Sequence, residues 1–303
     1  MPELPEVHTT VEGLNTVLPK KTITNIWTDY PYSVFWKDKE NIKDPKYFKK
    51  FKEIFVGAKI INVSRKAKYI IIHTDKGHII IHMKMTGHLM YGKYSFDTKD
   101  KKWKPTDNKS PLADPFNRFI HFCLELSDSK KLVLSDMRKF ARVFFTESEH
   151  TDHDDIKTLG NDAFFETNNY TELKEAVVNT RSTKPIKTSL MDQNRIAGIG
   201  NIYSDEILWS AGIHPKRNPN TITDSEWKKM FSAMKRILKQ SMGMGGDSLS
   251  DYRNVFGEKG NFQNFHKVYG KKGKRCPKKD CGGIIQRTVI GGRSSHYCNK
   301  HQI

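Results

Sequence analysis

Residues able to do chemistry gather at the two ends of this chain. The tail reads CPKKDCGGIIQRTVIGGRSSHYCNKH, which gives Cys276-x4-Cys281, sixteen intervening residues, then Cys298-x2-His301. Two short pairs joined by a hairpin-length segment can converge on one tetrahedral ion, and thiolates with imidazole are the donors of closed structural zinc sites. His296 competes with His301 as fourth ligand, and the short spacing from Cys298 favours His301. Three unlinked thiols are the alternative. So small a segment has no core of its own, so the ion would supply much of its folding free energy. GIIQRTVI reads as one strand, GGR as the turn and SSHYC as the return. The tip then presents Arg293 to a groove or a phosphate, as β-ribbon readers do.

The other end begins MPELPEVHTT. The small residue after Met1 invites removal of the initiator, which leaves Pro2 as a secondary amine beside Glu3. An α-amine titrates at about 7.7–8, against about 10.4 for a lysine, so it is substantially deprotonated at neutral pH without burial. Proline and acids ahead of an apolar helical pattern are equally a helix-start signature. On the residues alone both readings stand.

A third stretch, LMDQNRIAGIGNIYSDEILWSAGIHP, reads as helix, Gly-rich turn and helix. Gly198 and Gly200 permit positive φ and close approach of the backbone to a ligand. Asn201 falls at the start of the second helix, either as an ordinary N-cap or as a phosphate ligand at the positive end of the helix dipole. Lys187 adds a nearby positive charge.

These residues need elements to hold them. Val7, Val11, Leu14 and Leu18 recur at helical spacing, so an N-terminal helix turns one face inward. KYIIIHTDKGHIIIHMKM reads as two strands around TDKG, and FIHFCLEL and KKLVLSDMRKFARVFF extend the β pattern to about residue 146. TESEHTDHDD reads as a linker, residues 157–240 turn helical, and 243–265 are rich in Gly, Ser, Asp and Asn, as a flexible loop would be. The chain has 303 residues, with 52 Lys and Arg against 34 Asp and Glu, a formal charge of +18. That excess repels itself unless it meets a polyanion, and nucleic acid is the usual one. A lysine-rich solvated surface is the plainer alternative. No apolar run is long enough to span a membrane and no leader is expected, so a disulfide framework is not expected either. Cys123, in FIHFCLEL, is expected to be a small core residue.

Taken in order, PELPEV, RKAKYIII, HMKMTG, LMDQNRIAGIGNIYSDEILWSAGIHP and GGRSSHYCNKH resemble the bacterial formamidopyrimidine-DNA glycosylase and endonuclease VIII family over essentially the whole chain. The resemblance implies an α+β protein: an N-terminal helix on a two-sheet β-sandwich (residues 1–148), an all-α helix–two-turn–helix domain (149–242), a flexible lesion-covering loop (243–265) and a zinc β-ribbon (266–303). It implies a DNA glycosylase and AP lyase that removes oxidised bases through a Schiff base on Pro2. Glu3 is then the acid at the sugar ring oxygen, Glu6 a supporting carboxylate, and Lys68 a phosphate grip near the lesion. Asn201 and Arg293 correspond to phosphate ligands of the turn and ribbon. Met85, Arg138 and Phe140 correspond to the residues that fill the gap left by an everted nucleotide; without the family, Met85 and Phe140 would be read as core. The family's usual tail is C-x2-C-x16-C-x2-C, so the x4 spacing and His301 depart from it. The expected partner is damaged double-stranded DNA, with single strands open, bound by a monomer inside the cell, and the expected cofactor is one zinc. Oxidised purines and oxidised pyrimidines both remain as substrates. The alternative class is a non-catalytic zinc-ribbon DNA-binding protein, which accounts for the charge and the zinc and leaves the Pro2–Glu3 pair without a use.

Overall fold

Glu3 is extended (φ −108°, ψ −168°), Pro5 sits in the first turn where a missing N–H costs nothing, and the chain enters α1 (Leu4–Val17). Val7, Val11, Leu14 and Leu18 form its inward face, as their spacing predicts. The computed structural model describes residues 1–30, 40–178 and 183–303, and its contacts divide the chain into two units. The first is Met1–Lys157 with Gly245–Asn261, the second Thr158–Met244 with Phe262–Ile303.

In the first unit, β1 (Ile23–Thr28) and α2 (Pro45–Phe55) are followed by β2 (Ile60–Lys66), β3 (Tyr69–Thr74), β4 (Gly77–His82) and β5 (His88–Gly92). A hairpin, β6 (Tyr94–Asp97) and β7 (Lys102–Pro105), precedes β8 (Ile120–Leu126), β9 (Lys131–Ser135), β10 (Arg142–Thr146) and the short α3 (Asp154–Lys157). Two antiparallel four-stranded sheets result, ordered β1-β8-β9-β5 and β10-β4-β3-β2. Ile70, Ile72, Ile79 and Ile81 of one sheet meet Phe122, Leu124, Leu132 and Leu134 of the other in one core, which the inner face of α1 joins. Each such fully buried side chain contributes about 1.5–3 kcal/mol over exposure. Asn15 of α1 behaves as a strand neighbour: its amide donates to the Val63 carbonyl (2.7 Å) and accepts from the Val63 N–H (2.8 Å). Cys123 is fully buried, in a smaller cluster with Met90 and Val133.

In the second unit, β11 (Asn161–Asp162) precedes α4 (Tyr170–Val177) and α5 (Ile186–Leu190), and pairs in parallel with β12 (Ile196–Ala197). Next come α6 (Asn201–Ala211), closed by left-handed Gly212, and α7 (Asp224–Gly243), which α6 meets through the Tyr203–Ser241 hydroxyl pair (2.6 Å). The chain ends in the ribbon β13 (Ile285–Ile290) and β14 (Arg293–Cys298), joined by Gly291 and Gly292. Both glycines have positive φ (55° and 73°), as a two-residue hairpin turn demands.

The division differs from the expected one in two places. The first unit runs on to Lys157 rather than 148, and residues 245–261, read as flexible, fold with it. Tyr252, Arg253 and Val255 are buried there, and Arg253 donates to both oxygens of Asp114 (3.2 Å each). Gly- and Asn-rich composition serves tight turns as well as mobile loops. Here the positive-φ glycines 245, 246 and 257 are turn residues.

Candidate active site and metal centre

Pro2, Glu3 and Glu6 are all buried, Glu3 and Glu6 at 1% exposure each. One oxygen of Glu6 accepts the Glu3 N–H (2.7 Å), and the other accepts the N–H of Asp247 (2.7 Å). The Glu6 carbonyl takes the Tyr252 hydroxyl (3.0 Å) and the Thr10 hydroxyl (2.8 Å). Gly246 lies so close that a Cβ there would stand 3.0 Å from Glu6 Cγ and Oε1. Glu6 is tied to the protein itself. Its carboxylate is spent on backbone donors and fixes residue 3 against the 245–252 segment. Nothing in the sequence flags this clamp, because its two halves lie 241 residues apart.

Lys68 lies in the β2–β3 turn beside left-handed Ala67 (φ 52°) and is 6% exposed. Burial pushes the His82 imidazole well down, with Lys84 and Lys68 adding to it, so a neutral Nδ1 accepts the Lys84 N–H at 2.9 Å. That bond fixes the turn leading to half-buried Met85, in which Lys84 has φ 53°. The SDMRKF loop is tied to the same turn. Thr86 Oγ1 donates to Asp136 (2.6 Å) and accepts the Arg138 N–H (3.0 Å), while the other Asp136 oxygen accepts the Ala141 N–H (2.7 Å). Arg138 is exposed and its guanidinium lies 4.6 Å from the Phe140 ring, which is 44% exposed. Phe140 is thus not core. Thr86 and Asp136 are positioning residues the sequence reading missed, although both lie inside the motifs it singled out.

In the second unit, Gly198 takes the left-handed backbone (φ 106°), whereas Gly200 stays at φ −131° as the N-cap of α6. Asn201 is therefore the first helical residue rather than the cap; its Oδ1 is buried with no hydrogen-bond partner among the described residues. Gln193 holds the turn, its amide donating to the carbonyls of Met191 and Ile199 (2.8 Å each) and accepting the Gly198 N–H (3.0 Å). Lys187 is a correction. It is fully buried, and its Nζ donates to Asp205 (2.6 Å) and to the Ser294 carbonyl (2.8 Å). An ammonium taken out of water needs such a partner, and this one is committed to the protein rather than to a phosphate. Asp205 also accepts from the Ser295 hydroxyl (3.1 Å) and the His296 N–H (2.8 Å). Its neighbour Glu206 accepts the N–H groups of Lys267, Val268 and Tyr269 at 2.8–3.0 Å. Two adjacent acids of α6 thus fasten β14 and the segment before the ribbon. Arg293, at the hairpin tip, is exposed.

Cys276, Cys281, Cys298 and His301 meet in one cluster whose ligand atoms all lie within 4.8 Å of one another, and it could hold a metal ion. His301 Nδ1 stands 3.4 Å from the sulfur of Cys276 and 3.7 Å from that of Cys281, and the sulfurs of Cys281 and Cys298 are 3.5 Å apart. His301 Nε2 donates to the Trp209 carbonyl (3.1 Å), which turns the Nδ1 lone pair inward, and the Trp209 indole N–H donates to Cys276 (3.4 Å). A Cβ on Gly283 would stand 2.5 Å from the Cys298 sulfur, so the sulfurs occupy space only glycine leaves. His296, the competing ligand, faces Asp205 instead (3.2 Å).

Comparison with known proteins agrees with this organisation. Residues 1–143 match the Formamidopyrimidine-DNA glycosylase N-terminal domain, and residues 159–253 match the Formamidopyrimidine-DNA glycosylase H2TH domain. The formamidopyrimidine-DNA glycosylase of Shouchella clausii is 33% identical over 98% of either chain, and that of Bacillus subtilis is 32% identical over 100% of this chain and 99% of its own. Among solved structures, a complex of the Lactococcus lactis Fpg with abasic-site DNA superposes with a TM-score of 0.81 at 27% identity over 99% of both chains. A variant of that protein with Fapy-dG-containing DNA gives 0.81 at 28% identity, again over 99% of both. With both family domains matched in order and relatives aligned along its whole length, the chain belongs to the formamidopyrimidine-DNA glycosylase family.

Proposed function

We propose that this protein excises damaged bases from DNA and then cuts the abasic strand by β,δ-elimination through a Schiff base on Pro2. The observation that carries the reading is the buried Pro2–Glu3 pair at the head of α1, its backbone fixed by Glu6. Once Met1 is removed, the Pro2 nitrogen attacks C1′ of the damaged nucleotide and the base leaves with the glycosidic electron pair. Glu3 protonates the sugar ring oxygen as the ring opens, which leaves an iminium between Pro2 and C1′. The positive iminium acidifies the C2′ proton, and its loss expels the 3′-phosphate. A second elimination expels the 5′-phosphate and leaves a one-nucleotide gap. C1′ is unreachable inside a stacked duplex, and exposed Phe140 with Arg138, beside the Met85 turn, suits the space an everted nucleotide leaves. In a non-catalytic DNA-binding protein the Glu3 carboxylate would serve only the capping box at the head of α1.

Lys68, Asn201 and Arg293 are the phosphate contacts in this reading, with Asn201 at the positive end of α6. Lys68→Ala, Asn201→Ala and Arg293→Ala should each weaken binding to abasic-site DNA. Loss of either cation should also flatten the salt dependence by roughly one unit of slope. Wild-type affinity in all three variants would remove these residues from the interface.

For the lesion, the names of the relatives and a neighbour solved with Fapy-dG DNA support formamidopyrimidines ahead of oxidised pyrimidines. Cleavage of a panel of lesion-bearing oligonucleotides tests this, and preference for an oxidised pyrimidine would overturn it.

We assign zinc to the ribbon cluster. A tetrahedral zinc with Zn–S of about 2.3 Å holds its sulfurs about 3.8 Å apart, close to the 3.5 Å between Cys281 and Cys298. The ion would supply structure rather than a reaction step. Elemental analysis should return one zinc per chain at the ribbon, and Cys281→Ser should lose that equivalent along with DNA binding. Unchanged zinc in Cys281→Ser or in His301→Ala would strike that residue from the ligand set.

A further inference from the structure

The β3–β4 hairpin carries a second group of ligand side chains, apart from every site described above. His73 and His78 are register partners across it, with their Nδ1 atoms 3.0 Å apart. His150, on the turn that follows β10, stands against both, its ring centre 5.2 Å from that of His73 and 5.4 Å from that of His78. One ring nitrogen from each lies within 4.8 Å of the other two. The group sits at the end of β3 away from Lys68, which adjoins the first residue of that strand.

Three observations point to a cation rather than to an ordinary polar cluster. His150 Nδ1 is buried and has no hydrogen-bond partner among the described residues, an expensive state for a ring nitrogen. His73 Nε2 lies 2.6 Å from the Ser64 hydroxyl. A proton on Nε2 is satisfied there and leaves the Nδ1 lone pair facing His78, the way an outer partner orients a metal-ligating imidazole. Finally, the two hairpin rings, His73 and His78, are neutral at neutral pH. Burial and the two neighbouring imidazoles hold His73 down to about 4, and His78 is lowered chiefly by burial and by His150, with Glu149 opposing. A metal ion therefore meets no imidazolium in the hairpin pair. In the metal-free protein a proton on His78 Nδ1 joins the two nitrogens as a hydrogen bond, and a cation would take that proton's place.

We propose that His73, His78 and His150 form a site for a late first-row divalent cation of the zinc, nickel or copper class, with a fourth position open to water. Metal–nitrogen bonds of about 2.0–2.1 Å place tetrahedral nitrogens about 3.4 Å apart. The hairpin pair, at 3.0 Å, has to part by only a few tenths of an ångström to reach that spacing, and His150 closes on it from a three-residue turn, His150–Asp152. The ion would staple the polar 147–153 segment to the hairpin. An all-nitrogen donor set also sets it apart from the sulfur-rich ribbon.

The test is a cobalt(II) titration of the tag-free full-length protein with its ribbon already loaded with zinc. The expected result is one further equivalent of cobalt, with weak visible absorption and no thiolate-to-cobalt charge-transfer band. That equivalent should disappear in His78→Ala and in His150→Ala, while the ribbon keeps its zinc. Ser64→Ala should weaken it by about tenfold. No added equivalent in the wild type, or one that persists in both histidine variants, overturns the proposal.

Discussion

A chain whose Pro2 is preceded by an uncleaved residue should neither excise a damaged base nor cut an abasic strand, yet should bind abasic-site DNA almost as the mature chain does. Converting the secondary amine to an amide delocalises the nitrogen lone pair into the carbonyl, so Pro2, the proposed nucleophile, can no longer form the iminium. The proposed phosphate contacts, Lys68, Asn201 and Arg293, are untouched, so a gel-shift assay on uncleavable abasic-site DNA should report near-normal affinity. Borohydride should trap the mature chain covalently on a damaged strand and leave the blocked chain untrapped. Pro2→Gly supplies a primary amine and can keep a trace of trapping, which makes the blocked terminus the cleaner comparison. Full activity with a blocked terminus would hand the role to an internal lysine and overturn the assignment.

Glu3→Gln should separate the two halves of the reaction. The amide keeps the shape of the side chain and cannot deliver a proton, so base excision should fall by about a hundredfold or more. A pre-formed abasic site already exchanges with its opened sugar, so strand cleavage there should suffer far less. Single-turnover rates on a damaged and on an abasic oligonucleotide measure the two effects side by side. Equal losses on both would mean that Glu3 only starts the helix, the role its extended backbone at the head of α1 also fits.

What could be read in the sequence was the part written in short spacings. Cys298-x2-His301 and the Gly291–Gly292 turn are local, and they are enough to place the cluster and the ribbon. The apolar runs of β3 and β4 declare a buried hairpin for the same reason. The supports were unreadable because their partners are distant. Glu206 meets residues more than sixty positions away, Asp205 about ninety, and Glu6 more than two hundred. No spacing rule links an acid to a backbone N–H that far along. Lys187 misleads for a related reason, since a lysine beside a Gly-rich turn looks the same whether it grips a phosphate or is neutralised by Asp205. Residues 245–261 were hard to place because the same glycines suit a loose loop and left-handed turns, and the sequence does not say that they group with the first unit.

The discontinuity of the first unit bears on how the protein is made. Met1–Lys157 leaves the ribosome first, but residues 245–261, which carry the Asp247 N–H and the Tyr252 hydroxyl to Glu6, follow about a hundred residues later. At roughly 5–20 residues per second that is a delay of roughly 5–20 s, long compared with the folding of most small domains. A nascent chain can thus fold its sandwich while the head of α1 still lacks its clamp. The head of α1 is the first part synthesised and waits for more than two hundred residues before its clamp is made.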